Sequence, residues 1–324
     1  MSSSQRNRPC HPLRRPRGKL SGFIIAFAVG LGWGWGFAPH RSIHAAAIQT
    51  LPPPLFAFFK FHGDWIEQHA TDPDLRKHAV KGEAEKHYID LDRYGNGADS
   101  ALAVLPRTWK AACAQYGEDA LRAHGIAPWS TLWSYRALTE AFAAQSPELI
   151  LRHAADLGHY LGDLHVPLHT TSNYDGQHTG QVGIHALWET QVPAQFAREW
   201  SGVSPGRRAV YERDWESRIW HTLAQSHREI PRIFAAEVAA TEALGSHRKF
   251  AYVENGRIQQ RMHSPDFCAA FHEALAGQIP RQAQSAAGTI GDAWYSAWVD
   301  AGSPPLPPLP KQRLGERIWK WITG

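Results

Sequence analysis

Residues 147–169 read PELILRHAADLGHYLGDLHVPLH, and the reading of this stretch decides the fold. Pro147 suits the first turn of a helix, where its missing N–H is not needed. Ile150, Ala154, Leu157, Leu161 and Leu164 then recur at helical spacing, which makes one face apolar. Pro167 stops the helix just after Leu164, because a proline cannot continue the backbone ladder. A second pattern runs through the same residues. His159 and Asp163 are four apart, so on a helix they lie one above the other and can grip one cation. They sit off the apolar stripe, and periodicity by itself equally allows a solvated face. His169 follows just beyond the helix end.

Outward from this stretch the chain keeps helical periods. Residues 107–123 and 130–145 predict two helices, and helical patterns recur at 184–199, 211–243, 265–285 and 286–301. Upstream, residues 55–67 and 83–89 are helical but broken by Gly and Pro. Residues 92–98 and the glycine-rich 170–183 read as loops. Few sustained alternating strands and no internal repeat occur. The expected class is all-α: one multi-helix domain at 35–302, then a tail at 303–324. That tail opens with Pro304-Pro305-Leu306-Pro307-Pro308, a stiff linker. It ends in Trp319-Lys320-Trp321, which either docks on the domain or suits a membrane surface.

Composition narrows the function classes. Hydrophobic residues make up 43% and charged residues 20% of 324, which excludes a disordered or fibrous chain. The formal charge of +4 comes from residues 1–34, which hold six basic residues and no acid. Without them, 28 basic residues face 30 acidic ones, so charge gives no argument for nucleic-acid binding. Those 34 residues read as a secretory signal. A basic stretch ends at Lys19, an apolar run follows from Leu20, and small residues Gly30, Gly32 and Gly34 close it. An uncleaved membrane anchor is the alternative. Cys10 leaves with the signal; Cys113 and Cys268 either pair in an oxidising compartment or remain thiols. With no cysteine cluster, any metal site must use His and carboxylates.

The chain supplies them. His185 and Glu189 repeat the four-residue spacing of His159 and Asp163, and such a donor set suits zinc. Asp72-Pro73-Asp74 and His87-Tyr88-Ile89-Asp90 lie upstream. Together these clusters suggest a site for several ions.

In order, Trp35, His40, Asp74, His87, His159, Asp163, His169, His185 and Glu189 resemble the ligand string of the zinc-dependent phospholipase C and single-strand-specific nuclease superfamily. The resemblance implies a secreted, mostly α-helical phosphodiesterase with about three Zn2+ per chain. It places Asp74, His87, His159 and Asp163 on the first ion, and His169, His185 and Glu189 on the second. His40, Asp163 and the freed amine and carbonyl of Trp35 fall on the third. It also gives Asp74 a catalytic part, orienting or deprotonating the attacking water. A free Trp35 amine requires cleavage between Gly34 and Trp35, with Trp33 as a competing start. Asp72 competes with Asp74, which the phospholipase branch favours. His165 matches no ligand position and is read as a supporting residue or a substrate contact; Asp90, Asp175 and His178 are read as supports or loop anchors.

Substrate class follows less directly. Glu189 resembles the phospholipases, whereas the five-residue step from Trp35 to His40 resembles the nucleases. Phe56, Phe58 and Phe59 with the Trp-rich tail either offer an apolar approach to a lipid surface or belong to the core. The favoured expectation is a secreted or periplasmic phospholipase C-type enzyme acting on a phosphodiester headgroup. A nuclease for single-stranded nucleic acid is the alternative, and a membrane-tethered zinc-binding protein without catalysis is the alternative of another class. No protein partner is implied.

Overall fold

The Ser146 hydroxyl accepts the Leu149 N–H at 3.5 Å, and Pro147 fills the first turn of a helix that runs Pro147–Asp163. A 3-10 turn, Pro167–Thr170, follows and carries His169. The structure, a computed structural model, describes residues 37–200, 203–255 and 258–308. These are mostly helical, as the periodicity predicts. Residues 1–34, with Trp33, and also Trp35 and the Trp319–Trp321 segment lie outside the described residues. None of the described helices is long and apolar enough to cross a membrane.

Pro147–Asp163 is the pivot because other helices cover it on more than one side. Ala127–Ala143 packs along it, joined to it by three residues, and Gln278–Asp300 packs against both. Ile150, Ala154, Leu157 and Leu161 are buried there, and the Trp294 indole N–H donates to the Ala154 carbonyl at 3.0 Å. Phe37–Thr50 and Gly63–His69 cover the face that holds His159 and Asp163. Every residue from Leu157 to Asp163 is therefore buried, and the solvated-face alternative is excluded. Two glycines permit this approach. A Cβ on Gly158 would stand 2.3 Å from His44 Nε2, and one on Gly162 would stand 3.0 Å from His40 Cε1.

Several boundaries differ from the periodic reading, each for a local reason. The 107–123 pattern splits at Gly117, whose φ of 80° ends Trp109–Tyr116 and begins Glu118–Ala123. The 211–243 pattern becomes Trp215–Arg228 and Ile230–Leu244, with Pro231 in the new first turn. The break expected after 285 falls at Ala276 and Gly277, both left-handed, which lengthens the last helix to Gln278–Asp300. Residues 184–200 form a run of short turns, including a π turn at Leu187–Gln191. An antiparallel pair, Phe250–Asn255 with Ile258–His263, was not anticipated. Its signal is the Asn255-Gly256 dipeptide between β-rich runs.

Three expectations meet side-chain evidence here. Phe58 and Phe59 are buried and Phe56 packs partly buried on the core, so this cluster is not an approach to lipid. Phe59 stacks flat on Trp294 at 4.7 Å instead. Cys113 and Cys268 are free thiols, which closes the disulfide alternative. The start of the Pro-rich stretch rests on the domain: the Pro304 carbonyl accepts from Trp298 and the Pro305 carbonyl from Gln145, both at 2.9 Å.

Gly125 connects the scaffold to the site. It has φ 84°, and a Cβ there would lie 2.1 Å from the Tyr88 carbonyl oxygen. Around it, Ile126 N–H donates to Glu85 at 2.7 Å, Ala127 to Tyr88 at 3.1 Å, and Asp90 to the His124 carbonyl at 2.8 Å. This clamp holds the His87 segment against the start of Ala127–Ala143. Gly125→Ala combines left-handed strain with a backbone collision, and is expected to cost about 2–4 kcal/mol. Urea unfolding checks it; an unchanged midpoint contradicts the clamp.

Candidate metal centre

Eight of the nine residues singled out from the sequence lie in the described structure, and all eight converge. His40 comes from Phe37–Thr50, Asp74 from the single turn Asp72–Arg76, and His87 from just after the 3-10 turn Ala84–Lys86. His159 and Asp163 come from Pro147–Asp163, His169 from the turn beyond it, and His185 and Glu189 from the short turns at 184–191. Asp163 sits at the centre. Its Oδ2 lies 2.8 Å from His87 Nδ1 and 3.3 Å from His159 Nε2; its Oδ1 lies 3.5 Å from His40 Nε2 and 3.6 Å from His169 Nδ1. Asp74 Oδ1 stands 3.8 Å from both His87 and His159. Beyond this, Glu189 lies 3.3 Å from His169 Nε2 and 2.8 Å from His185 Nε2.

Ligand atoms fall into three groups, each with its members within 4.8 Å of one another: His40, Asp74 and His159; His87, His159 and Asp163; His169, His185 and Glu189. Such buried groups can hold metal ions. Donors about 2.05 Å from one ion at the tetrahedral angle stand about 3.3 Å apart. The imidazole pairs match that edge: His87 and His159 face each other nitrogen to nitrogen at 3.1 Å, and His169 and His185 at 3.2 Å. His159 Nδ1 lies 2.9 Å from the Ala70 carbonyl, which fixes the ring with Nε2 turned to the cluster. Asp163 Oδ1, His169 Nδ1 and Glu189 Oε1 are buried with no well-formed hydrogen bond among the described residues.

Electrostatics ask for positive charge here. Burial opposes ionisation of Asp163, yet the charges of His159 and His169 hold it well below the usual carboxylate range. Burial likewise opposes ionised Glu189, but His185 and His169 bring it down to about 2. His159 shows the converse: burial disfavours its charge, and Asp163 with Asp74 overrides this to push it up to about 9. Glu189 with Asp163 likewise raises His169, whereas burial lowers His40 and His87.

Competing assignments resolve geometrically. Asp72 turns outward to His69 at 2.7 Å, whereas Asp74 turns inward and accepts from Lys77 Nζ at 2.7 Å. His165 is buried and faces away from the cluster, with Nδ1 2.8 Å from the Leu161 carbonyl and Nε2 3.4 Å from Thr289. Its reading as a substrate contact is overturned. Asp175 anchors the loop by accepting from the backbone N–H of Gly183 and His185. His178 is exposed on that same loop, and Asp90 faces His124 at 3.4 Å. Lys77 and Glu83 escaped the sequence reading; only the three-residue spacing of Lys77 from Asp74 hints at the first.

A cleft of about 370 Å³ opens over the cluster. His87, His169 and His185 form its floor, with Lys77, Tyr88, Asp90, Leu168 and Tyr174 around them. No protein-family model matches the chain, and no curated protein matches it.

Proposed function

We propose that this chain is an exported, zinc-dependent phosphodiesterase of the phospholipase C type. One observation carries the reading: eight residues of the nine-residue string, seven buried and His185 partly buried, converge beneath a single cleft. His and carboxylate donors without cysteine favour zinc among common ions. Asp74, His87, His159 and Asp163 would hold one ion, and His169, His185 and Glu189 a second. His40 and Asp163 would share a third with the Trp35 terminus. Asp74 groups with His40 and His159 and also lies 3.8 Å from His87, so it stands between the first and third positions.

Bound zinc supplies acidified water near neutral pH and polarises a phosphoryl oxygen. The chain's own residues do the rest. Lys77 brings positive charge to the cleft wall for a phosphate oxygen, and its bond to Asp74 at 2.7 Å holds that carboxylate turned toward the cluster. Leu168, Tyr88 and Tyr174 offer apolar and aromatic walls for the group carried by the phosphate. Burial of the donors keeps bulk water from competing for them.

A nuclease reading has one specific support, because Tyr88 and Tyr174 can stack on bases and Phe56, Phe58 and Phe59 no longer offer a lipid approach. Against it, the residues lining the cleft include Lys77 but no arginine, which is a weak track for a polyanion. With zinc and pH matched, hydrolysis of a choline-type phosphodiester is expected to exceed that of single-stranded DNA. DNA cleavage with no headgroup release reverses the choice.

A further inference from the structure

Glu83 is buried, 2% exposed, and has no part in the chemistry above. Three side chains from three segments meet on its carboxylate. Oε1 accepts from the Tyr160 hydroxyl and, at 3.3 Å, from Arg76; Oε2 accepts from Lys86 Nζ at 2.9 Å. Arg76 also pairs with Asp156 at 3.0 Å, on the same helix as Tyr160. Each partner is placed beside a cluster residue. Tyr160 follows His159, Lys86 precedes His87, and Arg76 lies two residues after Asp74. The Tyr160 ring meets the rings of His87 and His159 edge-on at 5.5 and 5.8 Å.

We propose that Glu83 is the positioning residue of the metal centre: one buried carboxylate that sets the separation of Asp74, His87 and His159 without touching the ions. Asp72–Arg76 and Ala84–Lys86 are single turns, too short to hold their own geometry. Side-chain ties must therefore place Asp74 and His87 against the rigid helix that carries His159. Charge-assisted bonds from Arg76 and Lys86 to one buried acceptor are strong enough for this. Among the described residues no hydrogen bond links Glu83 to the His169, His185 and Glu189 segments, so its influence is confined to one side of the cluster.

The inference rests on the metal reading, and its test keeps the two apart. Wild type and Glu83→Gln are stripped with chelator, reloaded with Zn2+ alone, and followed by native mass and chelator competition. The amide keeps the size and an acceptor for Tyr160 but removes the charge. Ions held through Asp74, His87 and His159 are expected to weaken about 10–100-fold. The ion at His169, His185 and Glu189 is expected to keep wild-type affinity. Equal weakening of every ion, or a lowered melting temperature with unchanged affinities, overturns the positioning role. Should Glu83→Gln fail to fold, Lys86→Gln on the partly exposed arm is expected to give a smaller loss on the same ions; no loss overturns the proposal. A wild type that takes up no Zn2+ overturns the metal reading itself.

Discussion

Asp163→Asn is expected to lose more than one zinc and to lower phosphodiester hydrolysis by at least about 10³-fold. The reason is position. Both oxygens of Asp163 face imidazoles, His87 and His159 on one side and His40 and His169 on the other. A carboxylate there offsets repulsion between neighbouring cations, and a neutral amide cannot. His165→Ala is the control. It removes a buried ring four residues from Leu161 and is expected to reduce stability while leaving the zinc content unchanged, because His165 faces Thr289 and not the cluster. Elemental analysis of both variants decides the matter; full zinc occupancy in Asp163→Asn refutes the bridging position.

The second large effect is on stability against pH, and metal removes it. In the metal-free protein His159 is raised to about 9 from an unfolded value near 6.5. Its contribution is complete below pH 6.5 and is lost as pH rises through about 9. Asp163 and Glu189 are depressed, so they stabilise above their unfolded values near 4; the Glu189 contribution is lost as pH falls toward about 2, and that of Asp163 as pH falls through its own depressed range. Metal-free protein is therefore expected to melt progressively lower from pH 6.5 to 9. Zinc binding needs His159 neutral, so affinity rises over the same interval. The gap in melting temperature between zinc-loaded and stripped protein is expected to widen from pH 6.5 to 9. A constant or narrowing gap means that the imidazoles do not exchange protons for metal.

Particular residues show how much of this was legible beforehand. The helix at 147–163, its stop at Pro167 and the two four-residue His–carboxylate pairs follow from local spacing and capping, which a single chain displays. The burial of His159 and Asp163 does not. Periodicity weighs one apolar face, whereas the second face is covered by Phe37–Thr50, more than a hundred residues away, through the gaps at Gly158 and Gly162. Asp72 and Asp74 look alike in sequence; His69 and Lys77 tell them apart only in space. Phe56, Phe58 and Phe59 looked equally suited to core or membrane, because hydrophobicity is blind to what lies opposite, here Trp294. The hairpin at 250–263 was legible in Asn255-Gly256 but was outweighed by helical patterns on either side. Glu83 carried no signal, since its partners Arg76, Lys86 and Tyr160 converge only on folding.

The central claim is that the buried cluster around Asp163 is a metal centre. Anomalous diffraction at the zinc edge, from crystals of zinc-replete protein, tests it most directly. The account predicts strong peaks within coordination distance of His87, His159 and Asp163 and of His169, His185 and Glu189, with a further peak beside His40. Zinc-replete crystals with no anomalous density inside the cluster, its imidazoles instead bonded to carboxylates through protons, would contradict it.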